Sequence, residues 1–188
     1  MKKFFLATLL FNLYVYAQAA ELAGVKLTDS VHVGSRDLQL NGAGVRSRFF
    51  FDLYIAALYL PGKSASFAAV LADGGAKRIA LHVVAGESEA ERFLHGFRNG
   101  IEKNQGEQEL AALRERMNAF DQLFGAVKTF KKGDVIAFDW LPGSGTHISL
   151  NGAELGRIAG EDFYRALLSI WIGEKPVSGD LKKGLLGG

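Results

Sequence analysis

The hydrophobic period of this chain changes in blocks, and the order of those blocks restricts its fold more than any other feature. Extended segments come first. Val25 to Leu40 reads as short strands split by polar turns, and Val45 to Leu60 as the longest extended run, stopped by Pro61-Gly62. A small helix fits Ser66 to Ala72, and Lys77 to Val84 is a β-branched strand with apolar residues on both faces. Two helices follow. Ser88 and Glu91 have capping-box spacing ahead of Phe93, Leu94, Phe97 and Ile101. Leu110, Leu113, Met117, Phe120, Phe124 and Val127 then recur at steps of three and four, which puts them on one helix face. Strands return over Asp134 to Leu141, Thr146 to Leu150 and Glu154 to Ile158. Pro142-Gly143-Ser144-Gly145 and Asn151-Gly152 separate them, and Asn-Gly is a strong two-residue hairpin signal. Glu161 to Ile172 and Gly179 to Leu186 close the chain as helices, with Phe163, Leu167, Ile170 and Trp171 facing inward on the first. This segregated order predicts an α+β fold: a large, mainly antiparallel sheet covered by a layer of helices on one face. A parallel doubly wound sheet would alternate the two element types throughout.

The first residues set where this domain folds. Lys2 and Lys3 precede an apolar run from Phe4 to Tyr16, and Ala17, Ala19 and Ala20 supply a small-residue cleavage pattern before Glu21. The run is shorter than the roughly 20 apolar residues of a spanning helix and contains Asn12. Residues 1–20 therefore read as a secretory signal peptide. Residues 21–188 read as one domain, exported to the periplasm, with secretion as the alternative, and soluble, with no membrane anchor left after cleavage. The two-lysine leader is of the bacterial kind. Lys2 and Lys3 also account for the whole excess of 22 basic over 20 acidic residues. A balanced domain gives no footprint for nucleic acid or an anionic membrane surface. The chain has no cysteine, which excludes disulfides, thiolate metal sites and cysteine nucleophiles, so stability rests on the core. The oligomeric state is not readable.

Read as one regular strand, Val45 to Leu60 places Phe49, Phe51, Leu53 and Ile55 on a core face. Arg46, Arg48, Phe50, Asp52 and Tyr54 fall on the other face, and two readings of that face stand. It is solvated, with Arg48 and Asp52 as a surface pair, or it lines a cleft. In the cleft reading a guanidinium holds an anionic or carbonyl oxygen and Phe50 and Tyr54 form the apolar wall.

Two segments resemble the chalcone isomerase superfamily. One is Asn41-Gly42-Ala43-Gly44-Val45-Arg46 running into a strand that ends in Tyr59-Leu60. The other is the late helix ending in Ile172-Gly173, followed by Pro176-Val177 and the short Asp180-Leu181-Lys182 helix. The resemblance implies an open-faced β-sandwich with a cleft between sheet and helices, and it points to exported bacterial chalcone isomerase-like proteins. In the true isomerases an arginine beside the glycine turn binds the forming phenolate. A strand threonine and a helix tyrosine orient water, and an asparagine and a late threonine contact the distal ring. Matched onto this chain, the arginine is Arg46, the strand threonine is replaced by Tyr54 and the late threonine by Ile170. Asn99 stands for the asparagine and Arg92 for the helix tyrosine.

Most of the polar set is therefore replaced, and chalcone isomerase activity is not expected. No other catalytic set is legible. His32, His82, His95 and His147 lack metal-ligand spacing. Ser144 lies in a strand-to-strand turn without the G-x-S-x-G pattern. Gly42-x-Gly44 lacks a third glycine and a following helix, so no dinucleotide cofactor is expected. The resulting expectation is a non-catalytic protein binding a small apolar ligand with an acidic or carbonyl head, fatty-acid-like, through Arg46, Arg48, Phe50, Tyr54, Asn99 and Ile170. The alternatives are an isomerase or lyase on an unknown substrate, and a structural or partner-binding domain whose cleft is closed.

Overall fold

The computed structural model describes residues 21–188, so the leader expected over residues 1–20 lies outside the described residues. The elements in order are β1 (Glu21–Leu22), β2 (Val25–Lys26), β3 (Ser30–Val33), β4 (Arg36–Arg48), β5 (Phe51–Leu60), α1 (Phe67–Ala72), β6 (Lys77–Val83), β7 (Ser88–Glu89), α2 (Ala90–Glu102), α3 (Glu107–Leu123), β8 (Thr129–Phe130), β9 (Val135–Leu141), β10 (Gly145–Leu150), β11 (Ala153–Ile158), α4 (Glu161–Ile172) and α5 (Gly179–Leu185).

Seven strands form one sheet in the order β11-β10-β9-β6-β5-β4-β3. Every neighbouring pair is antiparallel. Because β6 and β9 are neighbours, the chain between them, which carries α2 and α3, must leave the sheet and return over one face. Strand alternation sorts the core accordingly. Tyr54, Ala56 and Leu58 of β5, Ile79 and Leu81 of β6 and Ile136 and Phe138 of β9 face the helices. They pack with Phe97, Phe120, Leu167 and Trp171 in the larger core. Ile55, Ala57, Tyr59 and Ala80 point the other way and join Leu27, Val33 and Leu38 in a smaller second cluster covered by the N-terminal strands. The α+β antiparallel architecture is the one expected. Among the described residues no helix is long and apolar enough to cross a membrane.

The first glycine segment is not a turn. β4 runs unbroken through Asn41-Gly42-Ala43-Gly44, with a bulge that leaves Asn41 as the extra residue between the Leu40–Tyr59 and Gly42–Leu58 pairs. The buried Asn41 carboxamide donates to the carbonyls of Leu185 at 2.7 Å and Ser64 at 2.9 Å, and accepts from the Ser64 N–H at 2.7 Å. The glycines let α5 lie directly on the strand. A Cβ on Gly42 would stand 2.1 Å from the Gly184 carbonyl oxygen, and one on Gly44 would stand 2.8 Å from Leu181 Cδ1.

The long apolar run is not one strand either. β4 and β5 form a hairpin whose last pair is Arg48–Phe51, so Phe49 and Phe50 are its two-residue turn. The even alternation expected from Val45 to Leu60 fails there, and Phe49 and Phe51 lie in solvent instead of in the core. Ser88 is also not a helix cap. It belongs to β7, which pairs with β8, and the Ala90 N–H that opens α2 donates to the Lys128 carbonyl at 2.9 Å. A backbone partner thus satisfies the helix end that a capping side chain would otherwise serve.

Candidate functional site

A cleft of about 490 Å³ opens between the hairpin end of β4–β5, the end of β6 and the face of α2. Arg46, Arg48, Tyr54, Asn99 and Ile170 all border it. Phe50 does not, because it projects from the turn into solvent. Its expected role as a wall residue is therefore corrected. The wall is Phe93, which meets the Tyr54 ring edge-on with centroids 6.2 Å apart and lies 4.9 Å from Phe130.

The arginines and Tyr54 meet across the hairpin and not along a single strand. Arg46 of β4 is the register partner of Tyr54 of β5, and directly opposed residues share a sheet face. A second bulge, at Leu53, re-aims the strand between the Asp52–Ser47 and Tyr54–Arg46 pairs. The Leu53 carbonyl compensates by accepting from both Val84 and Ala85 N–H groups. Asp52 accepts from the Ser47 hydroxyl at 2.6 Å, which takes the place of the expected pair with Arg48. Arg48 instead sits over the Phe49 ring, 5.7 Å from its centroid.

Tyr54 is the buried polar group of the cleft. Its oxygen accepts the Trp171 indole N–H at 3.0 Å. Burial pushes the phenol up to about 12, offset in part by the Trp171 bond and the Arg46 charge. It is therefore protonated at any physiological pH. With its oxygen accepting from Trp171, its own O–H has no protein acceptor among the described residues. One Arg46 nitrogen donates to the Ser47 carbonyl at 2.7 Å, and its remaining donors have no protein acceptor among the described residues. Arg46 and Tyr54 thus both border the cleft, beside the apolar side chains of Phe93, Phe130 and Ile170. Asn99 stands at the rim, where its amide is 3.2 Å from the His95 ring nitrogen.

Lys103 and Lys175 also border the cleft, together with Arg92, which pairs with Glu89 at 3.6 Å. The lysines were not legible as site residues, since nothing local distinguishes them from other surface lysines. A second, more open trough of about 360 Å³ between α2 and α3 is bordered by Arg98, Glu102, Glu107 and Arg114. Its mixed charges give it no directional chemistry.

One further contact set emerges only from the strand register. Ser144 Oγ lies 2.7 Å from His147 Nε2, and His147 Nδ1 lies 3.1 Å from Glu154 Oε1. The order is that of a serine–histidine–carboxylate relay. However, neither cleft borders these residues, and the Ser144 N–H is spent on the Leu141 carbonyl of its own turn. The set braces the β9–β10–β11 meander. Among the described residues no group of three or more His, Cys, Asp or Glu side chains is placed to hold a metal ion.

The geometry can be set beside known proteins. A solved structure, the crystal structure of a fatty-acid binding protein of Arabidopsis thaliana, matches with a TM-score of 0.66 over 87% of this chain and 92% of that one, at 17% sequence identity. At that identity the likeness speaks for the fold. No curated protein matches in sequence. A protein-family model described as chalcone isomerase-like matches residues 19–187. It takes in both the glycine-bearing strand and the helix that packs on it, and the chain belongs to the chalcone isomerase-like family.

Proposed function

We propose that this protein binds, without transforming it, a small apolar ligand with an acidic or carbonyl head, such as a fatty acid, and that it does so as an exported protein. The observation that carries this reading is an open cleft bordered on one sheet face by Arg46 and by its cross-strand partner Tyr54, a protonated phenol, with Phe93, Phe130 and Ile170 as its apolar lining. The head would accept from Tyr54 and from the guanidinium fork, and the tail would lie along Phe93, Phe130 and Ile170. A volume of about 490 Å³ suits a ligand of that size. The fatty-acid binding protein that shares the fold supports the same ligand class. The open cleft also weighs against a domain filled by its own side chains, since Tyr54 and Ile170 border the space and do not close it.

Native mass spectrometry of protein isolated from its own periplasm, with palmitate titration followed by melting temperature, tests the reading. The expected result is a co-purifying lipid and a palmitate-dependent rise. Arg46→Ala should weaken binding about tenfold or more, the value of a charge-assisted hydrogen bond. No co-purified lipid and no palmitate response would remove the proposal.

A further inference from the structure

The turn of the β4–β5 hairpin violates two local rules at once. Phe49, Phe50 and Phe51 are 85%, 99% and 73% exposed, and they are all the exposed large hydrophobic residues among those described. Scattered single apolar residues are ordinary on a surface, but an exposed cluster marks an interaction site. The turn chemistry is also unfavourable. Phe49 sits at φ +57°, in the left-handed region that favours glycine or asparagine. The same chain shows the regular solution at the β10–β11 hairpin, where Asn151 and Gly152 occupy positive φ at +53° and +81°. A bulky ring held at such a position marks a place where something other than folding selects the residue.

The surroundings indicate what the rings meet. Arg46 and Arg48 flank the tip on β4, and the Arg48 guanidinium lies over the Phe49 ring. Asp52, the nearby carboxylate, is tied to the Ser47 hydroxyl. The cleft beside the hairpin brings Arg92, Lys103 and Lys175 to the same end of the molecule, against Glu89. Whole-chain charge balance averages over this local concentration. Three rings at the apex of a projecting hairpin, with cations behind them, match a bilayer: apolar chains beneath, anionic headgroups above. A partner protein would need a concave pocket to cover so prominent a tip.

We propose that this hairpin tip docks the protein on an anionic lipid surface, with Phe49, Phe50 and Phe51 entering the acyl boundary and Arg46 and Arg48 meeting headgroup phosphates. The same two arginines border the cleft, so docking brings its mouth to the membrane. The docking itself does not depend on what the cleft holds.

Flotation of the purified protein with vesicles of equal parts phosphatidylglycerol and phosphatidylcholine, and with pure phosphatidylcholine vesicles, tests it. The expected result is binding to the mixed vesicles that falls with added salt. Each cation at an anionic surface contributes about a fivefold gain in partitioning, so binding to phosphatidylcholine should be much weaker. The informative variant is Phe49→Asn with Phe50→Gly. It installs the residue pair that closes the β10–β11 hairpin, and asparagine tolerates the positive φ that Phe49 adopts, so the hairpin keeps a favourable connection while two rings are lost. Vesicle binding should drop about tenfold or more, with palmitate binding in vesicle-free solution retained. Absence of binding to the mixed vesicles, or equal binding by the variant, overturns the proposal. So does a wild-type dimer, lost in the variant, without vesicle binding; that result would assign the tip to a second copy of the chain.

Discussion

The indole N–H of Trp171 donates to the phenolic oxygen of Tyr54 at 3.0 Å, joining β5 to α4 behind the cleft. The Trp171 side chain is fully buried and does not border the cleft, so water cannot replace Tyr54 as the partner of its indole N–H. Tyr54→Phe keeps the ring against Phe93 but leaves the indole N–H unpaired in the core. The expected loss is about 1–3 kcal/mol of stability, read from urea unfolding. A variant as stable as the parent would show that this bond does not hold the helix to the sheet.

Burial raises the phenols of Tyr54, Tyr59 and Tyr164 above the ordinary value of 10.0. In the unfolded chain these groups lose their protons near that value, while in the folded protein they retain them. Their contribution is therefore complete below pH 10.0 and is lost as the pH rises toward the folded values. Tyr164 isolates the effect, because its hydroxyl is buried with no hydrogen-bond partner among the described residues. Tyr164→Phe should be as stable as the parent or more so at neutral pH, and its stability should fall less above pH 10.0. Parallel alkaline curves for the two proteins would refute this.

What could be read from the sequence was what local chemistry decides. The β9–β11 meander is marked by Asn151-Gly152 and lies where expected. The apolar period marks α3 from Leu110 to Phe120, but the helix ends at Leu123, so Phe124 caps it and Val127 lies beyond it. The elements that escaped are those fixed by distant contacts. No glycine, asparagine or proline marks the turn at Phe49-Phe50, so an apolar run spanning a hairpin reads as one core strand. Gly42 and Gly44 suggest a turn because their actual purpose, room for α5, involves residues far along the chain. Strand alternation groups Arg46 with Tyr54, although their actual relationship is cross-strand register through a bulge. The same alternation adds Phe50, which falls outside the cleft.

The packing of α5 on β4 gives a sharp steric prediction. A methyl group on Gly42 meets the backbone oxygens of Gly184 at 2.1 Å and Leu185 at 2.8 Å, and backbone cannot yield as a flexible side chain does. Gly42→Ala should lift α5, drawing Leu181 and Leu185 out of the core, and cost about 2–3 kcal/mol. Amide exchange over 179–185 should accelerate more than in the rest of the chain. Gly62→Ala, with nothing within 4 Å of the added carbon, is the matched control and should be near neutral. Equal behaviour of the two variants would mean that the helix tolerates the methyl.

His82 supplies an acid-side prediction of opposite character. It lies between Ile55 of β5 and Val135 of β9 in register, and its Nε2 is buried without a hydrogen-bond partner among the described residues. Burial holds the imidazole below its ordinary value of 6.5. As the pH falls past that value the unfolded chain takes up a proton that the folded protein refuses. Stability from this group is therefore full above 6.5 and declines until the folded imidazole also titrates. His82→Leu removes both the orphan nitrogen and the titration. It should match or exceed the parent at about pH 7, and its advantage should widen as the pH is lowered to about 5. Urea unfolding across that window measures the difference. If the two proteins lose stability in parallel, the imidazole is accommodated equally well in both protonation states, and its burial carries no pH-dependent cost.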